Sequence, residues 1–186
     1  MGNILHKNSS TTTTSAVESN EQPPTPQIVV LTENDVEIIK RTWKIPSANS
    51  HDSAALIFYT FLEKFPHNQN KFPSFKDKQL SDLKNTVEFR AHASRIFNVF
   101  SSVVDGLERD SEMMKGIKKI IAEVGKFHAK KKVSKKSQVE VRSVLVDVLS
   151  DVCKLNDEEK AAWNKLLDIF FHVIFECIDG RSEQFF

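Results

Sequence analysis

The sequence predicts an all-α domain behind a polar N-terminal tail. Three observations predict it. From residue 31 onward, apolar residues recur three and four positions apart, the spacing that lines one face of a helix. Five Gly and six Pro in 186 residues leave few turns. Fourteen Phe and a 40% apolar content supply one substantial core for a chain of single-domain length.

Residues 1–30 differ from the rest. SSTTTTS and EQPPTPQ carry almost no apolar content before Ile28. Such a stretch cannot bury enough surface to offset its ordering entropy, so it reads as a disordered low-complexity tail. Its start, MGNILHK, places Gly2 where N-myristoylation requires it, but His6 stands where that signal wants Ser or Thr. The match is partial, and a bland start is the competing reading. One acyl chain would give only weak membrane association.

Each helix follows from local signals. Thr32 to Asp35 forms a capping-box start, Val36, Ile39 and Trp43 follow at helical spacing, and Pro46 is expected to stop the first helix. Asn49 or Ser50 can cap a second, whose broad face is Ala54, Ile57, Phe58, Phe61, Leu62 and Phe65. Pro66 ends it and opens a short further turn. A long helix is expected from about Asp77 to Glu108, with Leu83, Val87, Ile96, Val99, Phe100, Val103 and Leu107 inward. Another covers Glu112 to Phe127 through Met113, Ile117, Ile120, Ile121 and Val124. After the basic break KKKVSKKS comes Val139 to Leu149. Its β-branched run could be a strand by propensity, but Val141, Val144, Leu145 and Val148 fit the helical period better. Asp157 opens the last helix and Gly180 closes it, leaving 181–186 as a C-terminal tail.

Several function classes recede. The net charge of +1 implies no strong electrostatic partner, so nucleic acid is not expected. Cys153 and Cys177 fit no metal-ligand spacing and read as free thiols in a reducing, cytoplasmic setting. No apolar run reaches the ~18 residues of a membrane span, and no secretory signal opens the chain. No GxGxxG, P-loop, CxxC or GxSxG motif appears, so a binding or redox role is expected rather than catalysis.

The histidines remain. His6 lies in the tail. His51 and His67 sit near helix ends and read as solvated, and His172 as polar or partly packed. His92 precedes Ile96 by one turn and Phe100 by two, and His128 follows Val124 and Ile120 in the same way. A lone histidine on an apolar face is usually a core or cap residue. Two on consecutive helices make a shared metal or cofactor site more plausible.

At this point the sequence resembles the globins, and looks closest to neuroglobin-like and nematode members, over residues 31–180. TENDVEIIKRTW is similar to the family's first helix with its tryptophan. FLEKFPHNQNKF followed by PSF resembles the start of the short third helix. FRAHASRI resembles the distal helix, VGKFHAKKKV the proximal helix and its corner, and DEEKAAWNKLL the last helix. The five fragments stand in family order. The resemblance implies a three-over-three sandwich of about eight helices around haem b. It implies His128 as proximal iron ligand and His92 on the distal side. Phe72 would stack on the porphyrin and Phe75 wedge nearby. Phe58 and Ile96 would line the distal cavity, and Val124, Val133 and Val141 the proximal wall. Neuroglobin-like relatives often carry a basic residue at Arg95, which could pair with a haem propionate. The second ring nitrogen of His128 should face a backbone carbonyl, plausibly that of Val124. Phe127 stands where the family usually has a hydroxyl beside that histidine. The 36 residues from His92 to His128 exceed the compact family spacing, with the excess in the polar corner around Asp105 to Met113.

Three functions compete. One is a six-coordinate haem protein with a redox or sensing role, which binds O2, CO or NO once His92 leaves the iron; its redox partner is unknown. The alternative is a five-coordinate globin for O2 storage or transport. The third is a haem-free helical interaction module. The basic corner of Lys130–Lys132, Lys135 and Lys136 could steer anions, or is simply solvated.

Overall fold

The computed structural model describes residues 29–107 and 111–186, with side chains from 114 onward in the second stretch. The readings made for residues 1–28, Gly2 among them, and for Glu108 lie outside what it describes, as do those for the side chains of Glu112 and Met113. Seven α-helices and two short 3-10 segments make up the described fold, without a strand among the described residues: α1 (Glu33–Ser47), α2 (Ser50–Lys64), a 3-10 segment (Pro66–Lys71), α3 (Leu80–Leu83), α4 (Val87–Asp105), α5 (Ser111–Lys130), α6 (Lys135–Cys153), α7 (Asp157–Ile178) and a 3-10 segment (Ser182–Phe185). α5 lies along α7, α4 along α2, and α6 packs between α2 and α7, while α1 crosses α4, α6 and α7.

α1 begins with the expected capping box. Thr32 Oγ1 accepts from the Asp35 amide at 3.1 Å, and Asp35 accepts from the Thr32 amide at 2.8 Å. Burial pushes the Asp35 carboxyl up, but Lys165 Nζ at 2.8 Å and the Thr32 donors outweigh it and leave its pKa lowered. The same contact ties α1 to α7. Pro46 does not stop α1; it lies within the last turn. A proline cannot donate to the carbonyl four residues back. That carbonyl, of Thr42, receives the Cys153 thiol of α6 at 3.6 Å. Asn49 caps α2 by position only: its side chain donates to Asp52 at 2.7 Å and makes no cap bond.

The helix expected over 77–108 is two. α3 ends at Leu83, and Thr86 restarts the chain by accepting from the Phe89 amide while its hydroxyl donates to the Leu83 carbonyl. Val87 therefore sits in a first turn, 79% exposed rather than inward. On α5 the buried residues with described side chains are Ile117, Ile121, Ala122 and Gly125, while Ile120 is turned outward. Val139–Leu149 is helical throughout.

The core joins α1, α4 and α7 through aromatic rings. Trp43 stacks on Phe97 at 4.8 Å and meets Trp163 at 5.6 Å. Each indole N–H has a partner: Trp163 donates to the Thr42 hydroxyl at 2.9 Å and Trp43 to Ser101 at 3.3 Å. Satisfied donors let these large rings be buried without a desolvation penalty. Asn156 and Glu159 form a second capping box that starts α7. Gly180 past its end adopts φ +83°, a left-handed backbone that favours glycine. Ser182–Phe185 then folds back against α5, and Lys126 Nζ lies 3.4 Å above the Phe186 ring.

Candidate haem site

The residues expected on the distal side come from α2, the corner after it and α4. The helical period of α2 turns Phe58 fully inward. The 3-10 segment opened by Pro66 brings Phe72 and Phe75 beneath α4, and their rings stack at 5.1 Å. The His92 imidazole is held between Phe58, at 4.7 Å between ring centres, and Phe72, edge-on at 4.8 Å. Phe89, one turn earlier, is completely buried against Phe58 at 4.8 Å and Phe75 at 6.1 Å. The sequence reading missed it, although it lies three residues before His92 on the same face. Ile96 is half-buried against the core. A cleft of about 330 Å³ opens beside this cluster, with Phe72, Phe75, His92, Glu88 and Arg95 on its walls.

His128, expected on the proximal side, stands at the end of α5. Lys132 takes a left-handed φ of 55°, and the Val133 amide returns to the His128 carbonyl at 3.0 Å, which closes the helix. Val124, Val133 and Val141 are all partly buried, the first and last against the core. Phe127 points outward, 57% exposed, so the residue in the hydroxyl's place gives His128 no hydrogen bond.

Both imidazoles are kept neutral. Burial lowers the pKa of His92 to about 4, and repulsion from His128 and Arg95 adds to the shift. Burial also lowers the pKa of His128, while the nearby Val124 carbonyl acts the other way. Its Nδ1 is buried and reaches no hydrogen-bond geometry even with that carbonyl. A proton held at Nδ1 toward Val124 leaves the Nε2 lone pair free for a metal. Neutral imidazoles with aromatic and aliphatic neighbours suit an apolar macrocycle with an iron centre, and the exposed Arg95 guanidinium suits its acidic edge groups, although the cleft is lined only by the corner after α2 and the start of α4 and does not reach His128.

The chain matches the globin family model over residues 55–174. It is a globin. Among curated relatives, globin CTT-X of the midge Chironomus thummi thummi is 32% identical over 155 residues, 83% of this chain and 99% of that one. Globin CTT-VIIB-8 of the same organism is 31% identical over 144 residues, 77% and 86% of the two chains. Among solved structures, the hexa-coordinate haemoglobin of Drosophila melanogaster superposes with TM-score 0.76 at 36% identity, covering 82% of this chain and 98% of that one. Haemoglobin component V of Propsilocerus akamusi gives TM-score 0.76 at 32% identity, with 86% and 100% covered. These relatives are insect globins. The globin's cofactor is haem b, and it binds haem and oxygen as the family does. No helix of the described residues is long and apolar enough to cross a membrane.

Two sequence readings need adjusting outside the pocket. His67 is not simply solvated: Nε2 lies 3.0 Å from the buried Glu140 carboxylate on α6, which also accepts from Asn68 at 2.7 Å. In the basic corner, Lys135 is paired with Asp179 at 2.6 Å. Cys153 and Cys177 are both free thiols, with pKa values raised by burial.

Proposed function

We propose that this globin holds its iron between His128 and His92 when no gas is bound, and serves a redox or sensing role. The observation that carries the reading is the placement of His92. Its ring is clamped by Phe58 and Phe72, and burial there keeps it neutral and so able to offer a lone pair to a metal. The likeness to a Drosophila globin described as hexa-coordinate supports the same reading. Haem, when bound, supplies the iron on which gas binding and electron transfer depend.

The residues then divide the work. His128 supplies the permanent ligand, its neutral state maintained by burial. Phe72 and Phe75 cover one face of the cofactor, Ile96 and Phe58 exclude water on the distal side, and Val124, Val133 and Val141 wall the proximal side. Arg95 pairs with an acidic edge group. Phe58 donates no hydrogen bond, so His92 is the polar group that meets an entering ligand. O2, CO or NO must wait for His92 to withdraw, and apparent affinity falls by the fraction of open sites.

Rapid mixing with carbon monoxide tests this. The expected result is a low-spin ferrous spectrum before mixing. Rebinding should then show a slow phase that saturates with ligand concentration and vanishes in His92→Leu. A single fast phase, linear in carbon monoxide, would instead mark a five-coordinate globin suited to oxygen storage or transport.

A further inference from the structure

Gly125 lies one turn before His128, where α5 crosses α7. It is buried, and a Cβ built there would stand 2.7 Å from Cys177 Cβ, 2.9 Å from Cys177 Sγ and 3.4 Å from Ile174 Cα. Carbon atoms in contact prefer about 3.5–4.0 Å, so any side chain at 125 has to lift α5 by roughly 1 Å. The nearest obstacle is the first atom of a side chain fixed to a helix, not the far end of a flexible one. The Cys177 thiol completes the contact by donating to the Ala122 carbonyl, one turn before Gly125, at 3.6 Å. By contrast Gly116, on the same helix, has no atom within 4 Å of its would-be Cβ.

We propose that the Gly125–Cys177 contact is a positioning device: the missing side chain at 125 sets how closely the proximal helix approaches α7, and thereby where His128 presents its ligating nitrogen. The inference rests on the reading of His128 as iron ligand. A helix transmits a displacement along one turn nearly undiminished, because its backbone hydrogen bonds hold neighbouring residues rigidly. Packed interiors do not absorb a shift of this size without moving something. Gly125 touches no iron and acts only through the helix.

The test uses the haem-loaded full chain. The readouts are the iron–histidine stretching band after photolysis of the carbon monoxide form, and the rate of haem loss to an apoglobin acceptor. Gly125→Ala is expected to displace the band and speed haem loss roughly tenfold, the scale on which one extra methyl acts in a packed site. Adding Cys177→Gly removes the opposing Cβ and Sγ and should return both readouts toward the parent. Gly116→Ala should leave both unchanged. An unmoved band in Gly125→Ala, or a displaced band that Cys177→Gly does not restore, overturns the inference. Should Gly125→Ala not fold, Cys177→Val crowds the same contact from α7 and is expected to displace the band and speed haem loss; an unmoved band in that variant overturns the inference. His128→Ala separates the two readings. If that variant keeps the parent band, the ligand assignment fails; if it loses the band while Gly125→Ala leaves the parent's unmoved, only the positioning role fails.

Discussion

The clamp on His92 should make the haem-free protein sensitive to acid in a way that one substitution removes. In the folded chain His92 resists protonation down to about pH 4, whereas an unfolded histidine takes its proton near 6.5. Above pH 6.5 both states are neutral and the effect is absent. As pH falls from 6.5 toward 4, the unfolded state binds a proton that the folded state refuses, so stability falls with pH. Below about 4 both are protonated and the loss stops growing. The stability lost is about 2 kcal/mol at pH 5 and approaches about 3 kcal/mol at the lower end. The assay is urea unfolding of apoprotein and of apo His92→Leu at pH 7 and pH 5. The parent should lose about 2 kcal/mol more than the variant between the two values. His128 is also held neutral by burial, but both proteins contain it, so the comparison isolates His92. Equal losses in the two proteins would show that His92 is not desolvated by Phe58 and Phe72, and would remove the main support for a preformed distal ligand.

Other consequences follow from named contacts. His128→Ala should purify with haem well below stoichiometric, and free imidazole in the buffer should restore part of it; the haem-to-protein ratio measures both. In His92→Leu, oxygen should leave several-fold faster, because a hydrogen bond worth about 1 kcal/mol is lost, while carbon monoxide dissociation changes much less. Stopped-flow displacement of each gas checks this. Glu140→Ala should cost about 1–3 kcal/mol in thermal or urea unfolding, because it strips the buried Asn68 amide and His67 of their acceptor.

The helix order was legible because each helix rests on local information. A capping box needs only Thr32 and Asp35, and again Asn156 and Glu159, and a helical face needs only its own period. The break between α3 and α4 was not legible. Leu83 and Val87 keep the spacing of one continuous helix, and only the Thr86 hydroxyl, which bonds both the turn behind and the turn ahead, separates them. Pro46 misled for a similar reason: its cost within α1 is offset by a thiol from α6, 107 residues away in the chain. The outward turn of Ile120 depends on how α5 is rolled against α7, which no periodicity within α5 can fix.

Gly125 belongs to this last kind, and it bears on how the pocket is controlled. His92 is fixed by the rings of Phe58 on α2 and Phe72 in the corner after it, so its environment follows from one helix crossing and the corner beside it. Among the described residues His128 has no such collar: its one ring neighbour, Phe127, stands edge-on at 6.0 Å and is mostly exposed, Nδ1 finds no hydrogen bond, and the nearby valines provide bulk without direction. Its position must therefore come from the helix as a whole, and so from the surface on which that helix rests. α7 and the closing segment at Ser182–Phe185 are that surface. A change behind α5 should then alter the iron's proximal bond while leaving the rings around His92 in place, whereas a change at Phe58 or Phe72 should do the reverse.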